Sequence, residues 1–146
     1  MSKNHLLSFS VAQLTVSDSS TLKIGSTNSV TLKRTPPVST IVSGNSILTV
    51  AQATSGLLLQ TPAANSTITL PTAAALVAFF NNEEVGDSFD IRVLNLAPAT
   101  YTTTVAVGSG GSAVGTLVIQ PASSVRFLLR FTNVTVGSEA YTLYAF

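Results

Sequence analysis

Short β-branched runs separated by turn residues set the rhythm of this chain. Val11–Val16, Leu22–Ile24, Val30–Lys33, Val38–Val42 and Ile47–Ala51 recur at intervals of about eight to ten residues. Between them lie Ser17-Asp18-Ser19-Ser20, Gly25–Ser29, Pro36-Pro37 and Ser43-Gly44-Asn45-Ser46. Short strands with turn signals at this spacing indicate an all-β domain. Ser43–Ser46 predicts a tight hairpin of its flanking runs. Pro36-Pro37 places a break or a sheet edge, because proline cannot donate to a central ladder.

Strands lengthen in the second half. Gly56–Gln60 and Ser66–Leu70 read as strands, and Pro71-Thr72 then opens the one helical pattern. Ala73, Leu76, Val77 and Phe80 fall on a single helical face, with Thr72 placed to cap the first turn. Ser88–Leu96 alternates, Phe89, Ile91 and Val93 against Asp90, Arg92 and Leu94. Tyr101–Val107 and Val114–Gln120 follow as strands about a Gly108–Ser112 hairpin tip. Val125, Phe127, Leu129 and Phe131 form one face of the next strand, with Arg126, Leu128 and Arg130 opposite. A turn at Val136–Glu139 leads into the closing strand, Tyr141–Phe146.

A sheet packed in a sandwich buries one face of each strand. Several strands here are apolar on both: Leu94 and Leu96, Leu128, and Tyr144 with Phe146 opposite Tyr141 and Leu143. Composition sharpens that observation. Charged residues make up 9% of the 146 positions, and 39 carry a small hydroxyl, against about 25% charged in ordinary domains. Free surfaces need charge for solubility, whereas covered surfaces do not. Surplus apolar faces on so weakly charged a chain point to a subunit interface, and Leu94, Leu96, Leu128, Tyr144 and Phe146 are its candidate residues.

Other classes find little support. The longest purely apolar run between Thr35 and Asn82 is Ala73–Phe80, far short of the roughly 20 residues of a membrane-spanning helix. Leu6–Val16 is interrupted by Ser8, Ser10 and Gln13, so no secretory signal is expected. The absence of Cys removes disulfides, thiolate metal sites and cysteine nucleophiles. His5 is the one histidine, and no G-x-S-x-G elbow accompanies the serines, so no catalytic residue is expected. Glu83, Glu84, Asp87 and Asp90 cluster after the helix without calcium-loop spacing. They read as a solvated loop plus a cross-strand or same-face ion pair, with Asp90 on a strand beside Arg92, and no metal or cofactor is expected. Gly108–Ser112 lacks the Lys and the following helix of a phosphate loop. A net charge of +1 argues against nucleic acid as a partner. Lys23, Lys33 and Arg34 make the N-terminal region mildly basic, suited to an acidic protein surface.

The run "STITLPTAAALVAFFNNEEVGDSFDIRVLN", then a Gly/Ser stretch and "GTLVIQPASSVRFLLRFTNVTVGSEAYTLY", resembles a small β domain recurring in virion proteins. Such domains occur in tailed-phage head decoration proteins, in tail-fibre parts and in structural proteins of large DNA viruses. The elements that carry the resemblance are Ile68–Ala73 opening a short helix, Val85–Phe89 starting a strand, and Thr132–Ala140 making the last turn. They span about 80 residues, the C-terminal half. The resemblance implies a three-fold structural protein at the capsid surface: a decoration or cement protein bound to the major capsid protein, or else a fibre or spike tip binding a host receptor.

The expected architecture is therefore all-β, an antiparallel sandwich or jelly-roll-like domain with one short helix at about 72–80. An N-terminal β-rich arm or subdomain (1–50) would precede a homotrimerising sandwich (51–146). The arm would dock on the capsid through Lys23, Lys33 and Arg34.

Overall fold

The computed structural model describes residues 38–41, 44–80 and 82–146. Strands alternate between two sheets as the chain advances. The six-stranded sheet runs, in spatial order, β1 (Val38–Ile41), β3 (Leu57–Gln60), β5 (Ser88–Asn95), β9 (Ser123–Asn133), β10 (Ala140–Ala145) and β7 (Gly111–Val114). The four-stranded sheet runs β2 (Ser46–Ile47), β4 (Ser66–Thr69), β6 (Thr103–Ala106) and β8 (Val118–Ile119). Up to β6, each odd strand lies in the first sheet and each even strand in the second, so every strand pair is one coil of a winding. Coils stack in parallel: β1 on β3 on β5, and β2 on β4 on β6. The winding then reverses. β9 pairs antiparallel with β5 and β10 with β9, while β8 pairs antiparallel with β6.

The protein is thus β-rich, with two mixed sheets where an antiparallel arrangement was expected. Alternation of side chains reports which face is buried and is the same for either strand direction. β1 and β2 do not pair as the expected hairpin, because they belong to different sheets and each pairs with the strand one coil later. Both strands precede residue 51 and are built into the same two sheets, so position 50 is not a seam among the described residues. Gly108–Ser112 is not a hairpin tip either. Gly111–Val114 is itself a strand, parallel to β10, and the partner of β6 is β8.

Among the described residues there are two helices rather than one, at equivalent places in successive coils. α1 (Val50–Ala53) follows β2, and α2 (Ala73–Phe80) follows β4. Each begins at a threonine. The Thr49 hydroxyl accepts from the Gln52 N–H at 3.2 Å while the Gln52 side chain accepts from the Thr49 N–H at 2.9 Å, a reciprocal cap. That cap takes Val50 and Ala51 out of the strand that their β-branched neighbours suggest. Thr72 accepts from the Ala75 N–H at 3.2 Å. Ala73 and Leu76 of α2 are buried, with Val77 and Phe80 packed against the core beside them.

One hydrophobic cluster draws on both sheets and both helices. Leu58, Ile91, Val93, Phe127, Leu129, Phe131, Tyr141 and Leu143 come from the larger sheet, and Ile68, Val105 and Ile119 from the smaller. Asparagines tie successive coils together. Asn45, one residue before β2, accepts the Thr67 N–H at 2.8 Å, and Asn65, one residue before β4, accepts the Thr102 N–H at 3.0 Å. Each side chain thereby satisfies a backbone donor on the next coil. Asn65→Ala should cost about 0.5–1.5 kcal/mol. Asn65→Asp, which keeps the acceptor, should cost less. Urea denaturation of both variants checks this, and equal losses would show that the bond to Thr102 is not what matters.

Tyr141 closes the core beneath the loop that follows β6. Its hydroxyl accepts from the Gly108 N–H at 2.9 Å and donates to the Pro71 carbonyl at 3.2 Å. Burial pushes the phenol above its ordinary pKa, and the bond from Gly108 offsets part of that rise. A phenol holding its proton more tightly when folded contributes stability that is complete below the unfolded pKa of about 10. That contribution is lost as pH climbs through the folded value. Tyr141→Phe should lower stability near neutral pH by about 1–3 kcal/mol, since Gly108 and Pro71 lose their partner. The gap to the unmodified protein should narrow above about pH 10. Denaturation curves at pH 7 and at pH 11 measure both effects.

Candidate interaction face

The candidate site is the outward face of the six-stranded sheet. On β5 the inward set is Phe89, Ile91, Val93 and Asn95, leaving Ser88, Asp90, Arg92 and Leu94 outward. On β9 the buried set is Phe127, Leu129 and Phe131, and on β10 it is Tyr141 and Leu143. Strand register then aligns the outward residues in rows across the sheet. Asp90, Leu128, Tyr144 and Val114 form one row. Leu57, Arg92 and Arg126 form the next, and Leu59, Leu94 and Ser124 the one beyond. At the opposite end Ser88, Arg130, Thr142 and Ser112 make a polar row.

Of the five residues that sequence reasoning chose for this role, Leu94, Leu128 and Tyr144 lie on the outward face, while Leu96 and Phe146 lie just beyond the ends of β5 and β10. Leu128 and Tyr144 are directly opposed, both half-buried. Leu94 shares a shallow cleft with Leu96, Ala122, Ser123 and Ser124, and Leu96 is 47% exposed. Phe146, 74% exposed, lies at the rim, where its N–H bonds the Arg126 carbonyl. Val114, Leu57 and Leu59 complete the apolar surface and were not foreseen. Gly111-Ser112 beside Val114 reads as a turn, so nothing in the sequence marks that strand. Three consecutive leucines, Leu57 to Leu59, did carry a signal, since two of three must share a face.

Four charged side chains lie on this face, Asp90, Arg92, Arg126 and Arg130. Asp90 and Arg126 make a bidentate pair, Nε to Oδ1 at 3.0 Å and Nη2 to Oδ2 at 3.0 Å. Of the two pairings expected for Asp90, cross-strand or same-face, the cross-strand one is made, and its partner is Arg126. Asp90 reinforces the charge of Arg126, first by these hydrogen bonds and then by direct attraction. Arg92 lies directly opposite Arg126.

Beyond the face, Glu83, Glu84 and Asp87 line the turn between α2 and β5. Asp87 accepts the Glu84 N–H at 3.0 Å, and Val85 projects from the turn, 62% exposed. Among the described residues no three His, Asp or Glu side chains gather as metal ligands, and no helix is long and apolar enough to cross a membrane. Lys23, Lys33 and Arg34, the candidate capsid contacts, lie outside the described residues, as do the strand runs expected before Val38. Comparison with protein-family models, curated proteins and solved structures gives no match.

Proposed function

We propose that this chain is a virion structural protein, a capsid decoration or cement protein that binds the major capsid lattice as a homotrimer at the capsid surface. One observation carries the reading: Leu128, Tyr144 and Val114 in one register row and Leu59 and Leu94 in another lie on the outward face of a sheet whose inward face is already a packed core. A solvated sheet alternates apolar-in with polar-out, and here the outward rows hold Leu57, Leu59, Leu94, Leu128, Tyr144 and Val114. Copies that cover this face remove these apolar side chains from water. The resemblance of the segment from Ser66 onward to virion β domains supplies the setting. In this reading the two sheets pack as a sandwich, the chain has no catalytic or cofactor site, and neither nucleic acid nor membrane is a partner.

Attachment falls to the N-terminal arm. Asn28-Ser29-Val30-Thr31 repeats the Asn-Ser start seen at Asn45-Ser46 and Asn65-Ser66. In the two described coils that asparagine caps a neighbouring strand's N–H, chemistry suited to adding a strand at a partner's sheet edge. Lys23, Lys33 and Arg34 would meet carboxylates on the capsid, helping encounter more than affinity. Three arms on a trimer convert weak single contacts into strong avidity.

Cryo-electron microscopy of particles containing the protein tests this directly. Three-fold density on the capsid lattice supports the proposal. Density confined to fibre tips would overturn it in favour of a receptor-binding role, and absence from particles would remove both.

A further inference from the structure

We propose that Arg92 and Arg126 form a receptor cleft for the acidic turn Glu83–Asp87 of a second copy, so that the outward face is held by charge recognition as well as apolar contact. This rests on reading that face as a self-assembly surface. Arg92 and Arg126 stand directly opposite each other on adjacent strands, an arrangement that like charges disfavour unless an anion lies between them. Asp90 supplies one carboxylate, already engaged by Arg126 at 3.0 Å through both oxygens. Two cations and one anion remain, in a shallow cleft of about 390 Å³ floored by Gly56 and Leu57. Its complement is a carboxylate carried beside a small apolar group.

The chain itself carries that complement. Glu83-Glu84-Val85-Gly86-Asp87 places an exposed valine between acidic residues. The turn is rigid: the Asp87 side chain holds the Glu84 N–H, the Asp87 N–H bonds the Glu84 carbonyl, and the Gly86 and Phe131 backbones are joined at 2.9 Å. None of Glu83, Glu84 or Asp87 pairs with a cation among the described residues, where the Asp90–Arg126 bridge is the only ion pair. Arg130 lies against Gly86 at the base of the turn without bridging to it. Nor can the turn reach its own cleft. Arg92 is four residues along an extended strand from Ser88, roughly 13 Å away. Only a second copy brings the two together, with Val85 against Leu57 and Glu84 toward Arg92.

Charge exchange in the full chain tests the pairing, with assembly followed by light scattering across a concentration series at low and high salt. Arg92→Glu places a carboxylate against the acidic turn and should raise the concentration needed for assembly by about tenfold or more. Glu84→Arg should do the same. The double variant Arg92→Glu/Glu84→Arg should return to within about threefold of the unmodified protein, and added salt should weaken the unmodified assembly. Both positions are exposed, so melting midpoints should hold. If the single variants assemble as the unmodified chain does, or the double variant is no better than either, the pairing is wrong while self-assembly stands. An unmodified chain that is a monomer throughout overturns the self-assembly reading and this pairing with it.

Discussion

Replacing Gly108 with alanine should unfold the domain or lower its stability by about 3 kcal/mol or more. A Cβ at this position would sit 2.5 Å from both the Leu70 and the Pro71 carbonyl oxygens. Both are backbone atoms on the segment between β4 and α2, so no side chain can swing aside. Gly108 also donates its N–H to the Tyr141 hydroxyl, and its carbonyl accepts from Gly111 at 2.9 Å. A shift of the loop that relieves the clash therefore breaks bonds that place Tyr141, one of the largest fully buried side chains. Gly137→Ala is the matched control. Nothing lies within 4 Å of the added methyl there, and only the cost of its positive φ applies. Thermal melts of the two variants should differ widely. A Gly108→Ala protein that melts like the unmodified chain would show that the approach of this loop to Pro71 is not fixed.

Leu128→Glu should abolish assembly while leaving each chain folded. Leu128 points away from the core, in the row with Asp90, Tyr144 and Val114. In a lone chain the new carboxylate can reach water, and the cost is small. In an assembly that covers the row it would be desolvated beside Asp90, and Arg126 and Arg130, which flank it on this strand face, offset only part of that cost because Arg126 is already engaged by Asp90. The expected result is an unchanged circular dichroism spectrum and a folding stability within about 0.5 kcal/mol of the lone chain, with only single-chain mass in solution. Phe127→Ala, one residue away, makes the contrast: its side chain is fully buried, and truncation should cost about 3–5 kcal/mol of folding stability. If Leu128→Glu leaves assembly intact, the row is not the interface.

The strands that enclose the core were legible because one face of each is uninterrupted. Phe89, Ile91 and Val93, then Val125, Phe127, Leu129 and Phe131, then Tyr141 and Leu143, each recur at every second position. α2 was legible from its i, i+3, i+4 spacing. Strand direction was not, because pairing partners are chosen by the whole winding and leave no mark on alternation. α1 shows competition between two local signals. Thr49-x-x-Gln52 is a capping pattern, yet Ile47 and Val50 favour a strand, and the cap prevailed over the β-branched run. The same limit applies to the face. Leu94, Leu128 and Tyr144 declared themselves by being apolar where their neighbours across the strand are apolar too. That Asp90 would meet Arg126, and that Arg92 would stand opposite it, required the register of β5 on β9.

The most direct test of self-assembly through the outward sheet face is the solution mass of the unmodified 146-residue chain. Light scattering coupled to size exclusion, run over a range of concentrations, should return three times the 15.1 kDa chain mass. A stable, well-folded single chain at every concentration would contradict it.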